Sequence, residues 1–284
     1  MVKYKTLAIV LFLAGLGLFL SRVFSGSVIL PRFFHLGPLV IHYYGLTMAL
    51  AVAAGFYLAA RRAPKNNIGR KAAEDLLFWV IAGGFLGARI YHVLSSINFY
   101  WHFPLEIFKV WQGGLSIFGA VFGGLIVILI LSKNYKLKTL NLIDWLAPSV
   151  LLGQIIGRFG NLFNYEAFGY PTGLPWKMFV PQNFRPVEFY QYNFFHPWFA
   201  YEILGNVFIF LILKKYCNNR KPGVLFFSYF LMYNALRFAL EFLRIDSTFF
   251  GQFRLNSLVS LTLALFSILM ISLLARNNTN GQVS

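Results

Sequence analysis

Eight apolar stretches of nearly membrane-spanning length constrain the fold of this chain more than any other feature. They cover residues 6–23, 39–60, 76–95, 114–131, 142–157, 198–213, 223–243 and 255–274. About 17–25 mostly apolar residues suffice for a helix to cross the hydrocarbon core of a bilayer. The chain is 58% hydrophobic and 12% charged, whereas soluble domains carry about 25% charged residues. The sequence therefore predicts an all-α polytopic membrane protein.

Basic residues in the short connecting segments orient the predicted helices. More than half of the 25 Lys and Arg residues lie near positions 3–5, 61–71, 133–138, 214–221 and 276. Because Lys and Arg favour short cytoplasmic loops, we expect both termini in the cytoplasm. The formal charge of +16 then reflects these loops and anionic lipid headgroups. It does not indicate nucleic-acid binding, for which no basic stripe interleaved with aromatic residues is present.

The first apolar stretch has two interpretations. Lys3 and Lys5 precede it, as in a signal peptide, but the stretch is long for one and residues 25–27 make a weak cleavage site. We favour a retained helix, so residues 1–35 are predicted to be an additional transmembrane helix and linker. Residues 36–284 would form the main membrane domain.

Two segments between the predicted helices bear on the location of the chemistry. Residues 161–197 are too polar to span a bilayer and are rich in aromatic residues, Pro and Asn, which predicts a small folded cap at the outer interface. The single cysteine, Cys217, lies in a predicted inner loop beside Lys214 and Lys215. It excludes an internal disulfide and is a poor candidate for chemistry on the outer side.

Charged and polar residues within the predicted helices are candidate functional residues, because such groups are costly in a bilayer. Tyr233, Arg237, Glu241 and Arg244 are spaced to share one helix face. In the predicted orientation the outer half of the membrane also holds His42, Tyr44, Arg89, Arg158 and Glu202. This agreement in depth predicts one cationic cavity suited to an anion such as phosphate. A structural Arg–Glu ladder between helices is the alternative.

The glycine spacing and the absence of several known motifs limit the kinds of site that this sequence can form. Gly83 and Gly87, and the pairs at 119/123 and 153/157, have the GxxxG spacing, which we interpret as close helix packing. The sequence contains no nucleotide phosphate loop, no Gly-x-Ser-x-Gly elbow and no His, Cys, Asp or Glu cluster at metal-ligand spacing. We therefore expect neither a metal nor a cofactor.

Residues 157–169 form the most specific string, GRFGNLFNYEAFG. We expect a helix to end at 157–160 and to release Asn161, Asn164 and Glu166 into the outer interface. Together with Arg158 these side chains would form a hydrogen-bonding site. A helix C-cap followed by a tight turn would explain the glycines but not the four polar residues.

This string resembles the signature of the prolipoprotein diacylglyceryl transferase family, Gly-Arg-x-Gly/Ala-Asn-Phe-x-Asn-x-Glu-x2-Gly, with Leu162 in place of Phe. The resemblance extends from about Leu36 to Leu274. Further segments similar to the family lie at 42–45, 87–89, 144–148, 196–202 and 233–244.

The resemblance implies transfer of the diacylglyceryl group of phosphatidylglycerol to the lipobox cysteine of a preprolipoprotein. This first step of bacterial lipoprotein maturation forms a thioether and releases glycerol 1-phosphate. The resemblance also implies a seven-helix core in the bacterial cytoplasmic membrane, to which residues 6–23 add an eighth helix. The substrate supplies the reacting thiol, and the site would face the outer leaflet.

The resemblance also suggests residue roles. Arg158 and Arg237 are expected to hold the lipid phosphate and stabilise the leaving group, while Tyr44 and Tyr233 position the glycerol. The candidate catalytic residues are Arg158, Arg237, Tyr233 and Glu202. The candidate substrate-binding residues are Arg158, Asn161, Asn164, Glu166, His42, Tyr44, Arg89, Arg244, Glu241 and His196.

One departure from the family affects the mechanism. Phe118 stands where some members have a histidine proposed as the catalytic base. Glu202, His42 and His196 are the candidate proton acceptors, and none is preferred. Two alternatives stay open: an Arg-lined anion or lipid transporter, and a catalytically impaired homologue that acts as a lipid-binding scaffold.

Overall fold

The structure, a computed structural model, describes residues 14–216 and 221–276. Its helices are α1 (Ala14–Phe24), α2 (Tyr43–Arg62), α3 (Arg70–Ser95), α4 (Ile97–His102), α5 (Ile117–Asn134), α6 (Thr139–Asn164), α7 (Trp198–Tyr216), α8 (Val224–Glu241) and α9 (Leu255–Arg276). Three short antiparallel pairs join β1 (Phe33–Leu36) to β2 (Leu39–His42), β3 (Met178–Phe179) to β4 (Phe194–Phe195) and β5 (Phe249–Phe250) to β6 (Phe253–Arg254). Residues 6–13 of the first predicted helix and Cys217 lie outside the described residues.

Long apolar helices dominate the described part of the chain. Five of them, α2, α3, α5, α6 and α9, are long and apolar enough to cross a membrane. The prediction of an all-α polytopic membrane protein is therefore confirmed. Helices α7 and α8 coincide with the predicted stretches at 198–213 and 223–243, and they carry Glu202, Arg237 and Glu241 of the candidate site.

The predicted helix at 39–60 begins later, at Tyr43. Residues 39–42 form β2, in which His42 pairs with Phe33 across the hairpin. The turn contains Gly37, whose φ of +60° lies in the left-handed region that glycine tolerates. The β-branched Val40 and Ile41 favour a strand after it. The prediction rested on apolar composition alone and therefore missed this signal for a strand.

Helix α6 ends later than predicted, at Asn164 rather than at 157–160. Gly160 lies within the helix, where its lack of a side chain lets α6 approach α2 closely. A Cβ at this position would lie 2.6 Å from Thr47 Oγ1. Tyr165, with φ of +52°, follows the last helical residue in the left-handed conformation typical of helix C-termini. Asn161 and Asn164 therefore lie on the last turn of α6, and Glu166 lies just beyond it.

The chain divides into two compact units. The first comprises Met1–Ala53, Leu151–Tyr216 and Phe227–Ser284, and the second comprises Ala54–Val150 and Cys217–Phe226. The core of the first unit joins the N-terminal segment, the end of α6 and the cap. Its buried members are Val23, Leu30, Leu162, Tyr165, Phe168, Met178, Val180, Phe195 and Phe199.

The core of the second unit packs α2, α3, α5 and α6 together. Trp145 is fully buried and its indole N–H donates to the Ala59 carbonyl at 2.8 Å. Helices α3 and α5 approach closely through Gly83, Gly87, Gly119 and Gly123, where any Cβ would overlap the backbone or a side chain of the facing helix. The interpretation of these glycines as packing residues is therefore confirmed.

Substituting Gly119 tests this packing. Gly119→Ala places a methyl group against the Gly87 carbonyl and the Tyr91 side chain, and overpacking of this kind costs about 1–3 kcal/mol. We expect a lower thermal unfolding temperature in detergent. Gly124→Ala on the same helix is the control, because its Cβ would make only ordinary contacts near Val80. Equal unfolding temperatures for the two variants would contradict this account.

A carboxylate from α6 caps the start of α8. Asp144 accepts hydrogen bonds from the backbone N–H groups of Gly223 at 2.6 Å and Phe226 at 2.7 Å. The first N–H groups of a helix have no partner within the helix, so Asp144 fills the role of an N-cap supplied by another helix. Helix α8 carries Tyr233, Arg237 and Glu241 further along.

Removing this cap should destabilise the protein. Asp144→Ala eliminates both acceptors, and loss of an N-cap costs about 0.5–2 kcal/mol. Thermal unfolding in detergent should show the decrease. Asp75→Ala is the matched control because Asp75 accepts its hydrogen bond from Tyr135 at an exposed site. A decrease no larger than that of the control would show that the hydrogen bonds between Asp144 and the start of α8 do not contribute to stability.

Candidate active site

Glu202 is the centre of an ion-pair network in the first unit. It lies in the second turn of α7 and is fully buried. Arg158 grips it with two donors, Nη2 at 3.0 Å from Oε1 and Nε at 3.0 Å from Oε2. Arg237 Nη1 lies 3.2 Å from Oε2, and the Tyr233 hydroxyl donates to Oε1 at 3.1 Å. Four donors from α6 and α8 therefore converge on one carboxylate of α7.

Three guanidinium groups share one aromatic neighbour. The Trp198 ring lies 4.7 Å from the Arg237 guanidinium carbon, 5.4 Å from that of Arg244 and 5.7 Å from that of Arg158. Its indole N–H donates to the Leu240 carbonyl at 2.7 Å, which fixes the ring. Cations are attracted to the face of an indole within about 6 Å. Trp198 thus contacts all three guanidinium groups and leaves their N–H donors available for hydrogen bonds.

Glu241 is a second buried carboxylate beside these cations. Its Oε2 lies 3.9 Å from both Arg237 Nη2 and Arg244 Nη1. Its Oε1 accepts a hydrogen bond from Asn256 at 2.9 Å. Within the described residues Oε2 has no hydrogen-bond partner. A buried carboxylate oxygen without a donor is costly, so this atom is of functional interest.

Arg244 lies beyond the end of α8, so the prediction that it shares a helix face with Arg237 and Glu241 was wrong. Helix α8 ends at Glu241, and Arg244 instead forms a β-bridge with Gly169. Position 169 requires glycine, because a Cβ on this residue would overlap the carbonyl of Leu243. The chain must leave the helix to make this bridge, which still brings the Arg244 guanidinium to Trp198.

Asp246 and Arg254 fix the segment that carries Arg244. The Arg244 guanidinium donates to both Asp246 oxygens, at 2.5 and 2.9 Å. Burial raises the pKa of Asp246, but its hydrogen bonds with Arg244 and the positive charge outweigh burial and hold the pKa below its ordinary value. Arg254 Nη1 donates to the carbonyls of Glu241 and Arg244, at 3.1 and 3.2 Å. The bond to Glu241 satisfies a carbonyl at the end of α8, and the bond to Arg244 holds the segment that follows the helix.

Glu166 is held by the two amides of the signature string. Asn161 Nδ2 lies 3.2 Å and Asn164 Nδ2 lies 3.3 Å from the same carboxylate oxygen, Oε1. The three side chains thus form the local polar group that the string predicts. Their placement differs from the prediction only because the amides are on the helix rather than released from it.

Two predicted residues lie at the junction of β2 and α2. Tyr44 packs against Gly160, where a Cβ would lie 2.7 Å from the tyrosine ring. His42 ends β2, and its ring centroid lies 5.7 Å from that of Phe33. The structure therefore brings Tyr44 to the α6 end of the site region, whereas the contact shown for His42 is within its hairpin.

His196 belongs to a hydrogen-bonded row before and within α7. Its Nδ1 lies 2.9 Å from the Tyr201 hydroxyl, which accepts the Trp176 indole N–H at 2.8 Å. The Tyr201 O–H donates to Nδ1 when this nitrogen carries no proton, and Nδ1 donates to the hydroxyl oxygen in the other tautomer. Burial lowers the pKa of His196, which favours the neutral imidazole near pH 7.

Arg89 belongs to the second unit, where it organises the loop before α5. Its guanidinium donates to the carbonyls of Glu106, Ile107, Gly113 and Gly114, at 2.5 to 2.9 Å. Four carbonyl acceptors occupy most of the five N–H donors of an arginine. These contacts support a structural role for Arg89, whereas its predicted role in substrate binding stays a prediction.

Phe118 lies in the first turn of α5, also in the second unit. Its side chain is exposed at 63%, and its ring centroid lies 6.1 Å from that of Tyr91. A phenyl ring cannot accept a proton, so the structure supplies no base at this position.

The comparisons with known proteins agree with the motifs. Residues 31–273 match the model of the prolipoprotein diacylglyceryl transferase family. The chain belongs to this family. The match includes the signature string and all the network residues on α6, α7 and α8.

Individual relatives extend over nearly the whole chain. A phosphatidylglycerol–prolipoprotein diacylglyceryl transferase of Fervidobacterium nodosum is 41% identical over 268 residues, covering 92% of each chain. The protein of the same name from Thermotoga maritima is 37% identical over 263 residues, covering 90% of this chain and 88% of its own. One from Synechococcus elongatus is 38% identical over 246 residues, covering 84% of this chain and 85% of its own.

Sequence reasoning missed four residues of the site: Trp198, Asp246, Arg254 and Asn256. Trp198 follows the His-Pro pair at the start of a predicted helix, which is a usable signal for an interfacial aromatic. Asp246 is one of only 9 acidic residues in the chain and lies two positions from Arg244. Arg254 and Asn256 act through tertiary contacts with the end of α8, so sequence spacing carried no signal for them.

Proposed function

We propose that this chain transfers the diacylglyceryl group of phosphatidylglycerol to the cysteine thiol of a prolipoprotein. The observation that carries the proposal is the family match over residues 31–273 together with the clustering of its polar motif residues around Trp198. The names of the relatives specify both substrates. Neither the transporter nor the scaffold alternative gains support from these findings.

The arginines provide the phosphate-binding surface of this proposal. Arg158 retains 29% and Arg237 16% side-chain exposure, although both are paired with Glu202. A guanidinium has five N–H donors, and Glu202 engages only part of each set. The remaining donors match phosphate oxygens, with Arg244 as a third cation. The carboxylates therefore orient the guanidiniums before the lipid arrives.

In the reaction, the cysteine thiolate attacks the glyceryl carbon that bears the phosphate ester oxygen. A C–S bond forms and the C–O bond breaks, so the electron pair leaves with glycerol phosphate. The guanidiniums of Arg158 and Arg237 stabilise the charge on this leaving group. The nucleophile must be the thiolate, and the nearby positive charge lowers the cost of forming it.

Glu202 is a positioning residue in this scheme rather than the proton acceptor. Both of its oxygens already accept hydrogen bonds from cationic or hydroxyl donors. Glu241 Oε2, in contrast, has no donor within the described residues. We assign it the role of accepting a hydrogen bond from a headgroup hydroxyl of the lipid. Tyr44 and the amide-held Glu166 would border the same headgroup.

The finer location of the protein follows from its substrates. Preprolipoproteins carry their lipobox cysteine at the end of a signal peptide, and phosphatidylglycerol is a membrane lipid. The proposal therefore places the chain in the bacterial cytoplasmic membrane with its site facing the outer leaflet. The basic inner loops of the sequence support this orientation.

Complementation of a bacterium depleted of its own transferase tests the proposal. We expect this chain to restore growth and lipoprotein modification, and Arg237→Ala to fail at equal membrane abundance. A chain that reaches the membrane but restores neither would contradict transfer and favour a scaffold. Anion transport into liposomes without any dependence on phosphatidylglycerol would favour a transporter.

A further inference from the structure

An apolar groove of about 590 Å³ lies in the first unit. Its walls include Phe24, Leu174, Trp176, Pro197, Tyr201 and Leu204. The described residues that line it include no Lys, Arg, Asp or Glu. Its size falls within the range of small-molecule sites, about 300–1,000 Å³. The polar groups of its lining side chains are those of His196, Tyr201 and Trp176, which are hydrogen-bonded to one another. The groove is therefore suited to an uncharged, apolar ligand.

The groove adjoins the ion-pair network through the backbone. Three of its lining residues directly precede a network residue, as Pro197 precedes Trp198, Tyr201 precedes Glu202 and Leu243 precedes Arg244. Successive side chains on one backbone point in different directions. The first residue of each pair therefore lines the groove, while the second belongs to the ion-pair network. A ligand with an anionic head and an apolar tail could engage both.

Helix α1 supplies one wall of the groove through Phe24. This residue precedes the family match, which begins at residue 31. The segment is nevertheless built into the fold: Val23 is 2% exposed, and the Leu30 N–H donates to the Tyr165 hydroxyl at 2.6 Å. Gly26 takes a φ of +79°, and a Cβ there would lie 2.6 Å from the Phe179 ring. Val23, at the end of α1, is a buried member of the core of the first unit, so the end of this helix packs into the fold.

We propose that this groove binds one fatty acyl chain of phosphatidylglycerol and that Phe24 sets the length of chain accepted. The inference rests on the proposed function and specifies its lipid subsite. The signal peptide of the acceptor is a poorer fit, because a helix is about 10–12 Å wide and this volume would hold only about one turn. A single aliphatic chain is thin and carries no charge to satisfy.

Filling the groove from the opposite wall provides the first test. Leu204 is 68% exposed, so Leu204→Trp should leave the core intact while occupying space along the groove. Purified variants are compared by the ratio of kcat/KM for dioleoyl to dilauroyl phosphatidylglycerol. We expect the ratio to fall by up to about fourfold for each methylene displaced. Leu211→Trp is the matched control, since Leu211 is 56% exposed and lies two turns further along the same face of α7.

Enlarging the groove provides the second test. Phe24→Ala should shift the ratio in the opposite direction, towards the longer chain. Leu18→Ala, on an exposed position of the same helix, should leave the ratio unchanged. Opposite shifts in the two groove variants with unchanged controls would support the subsite. A wild-type ratio in Leu204→Trp would overturn it.

A binding measurement separates failure of the subsite from failure of the proposed function. Phosphatidylglycerol with brominated acyl chains should quench Trp176 emission, obtained as the difference between wild type and Trp176→Phe, more strongly than phosphatidylcholine with the same chains. Absence of this headgroup-dependent quenching would overturn the subsite even if transfer occurs. Quenching without any thioether product would retain the lipid site and contradict the transfer reaction.

Discussion

Replacing Arg158 with lysine is expected to lower kcat/KM for diacylglyceryl transfer by about 10²–10³-fold. Arginine reaches both oxygens of Glu202 with two atoms of one planar group, and in the proposed function its remaining donors bind the lipid phosphate. Lysine keeps the positive charge but concentrates it on one atom, so it cannot hold the carboxylate and the phosphate together. Steady-state transfer to a cysteine peptide measures the effect.

The control for this substitution is Arg22→Lys, which changes an exposed arginine of the first unit. It should keep wild-type kinetics. If Arg158→Lys also stayed within about threefold of wild type, charge alone would suffice. The bidentate arrangement at Glu202 would then have no part in catalysis.

Removing the charge of Glu202 should affect both stability and transfer. Glu202→Gln leaves Arg158 and Arg237 facing a neutral amide in a fully buried position. Breaking a buried ion pair by neutralising one partner costs about 3–5 kcal/mol. We expect a markedly lower unfolding temperature in detergent, together with a kcat decrease that persists well below that temperature.

Glu188→Gln in the cap is the matched control, because Glu188 is exposed. A kcat decrease at a temperature where Glu202→Gln remains folded indicates positioning of the arginines, which a purely structural role would not produce. Wild-type stability and kinetics in Glu202→Gln would show that the network does not depend on its central carboxylate.

The helical architecture was predictable because bilayer-length apolar runs have few other solutions. The predicted stretches at 76–95 and 255–274 lie within α3 and α9, respectively. The errors arose where tertiary contacts override composition. We predicted a helix end at Gly160 because glycine is common at helix C-termini. In the structure this glycine instead allows α6 to pack closely on Tyr44 and Thr47.

The candidate site was predictable for residues that occupy the apolar stretches predicted to span the membrane, since charge there is unusual enough to identify. Glu202, Arg237 and Glu241 do lie together, and Arg158 joins them from α6. Sequence spacing could not show that Arg244 leaves its helix to pair with Gly169. Nor could it show that each arginine is paired with a carboxylate, which makes the cluster less cationic than the sequence implies.

The most direct test of the central claim measures both products of one reaction. A lipobox cysteine peptide is incubated with the purified protein and phosphatidylglycerol, then analysed by mass spectrometry, while released glycerol phosphate is quantified in the same sample. We expect a peptide heavier by one diacylglyceryl group and an equal amount of glycerol phosphate, with neither formed from a peptide carrying serine in place of cysteine. An unmodified cysteine peptide with no released glycerol phosphate would contradict it.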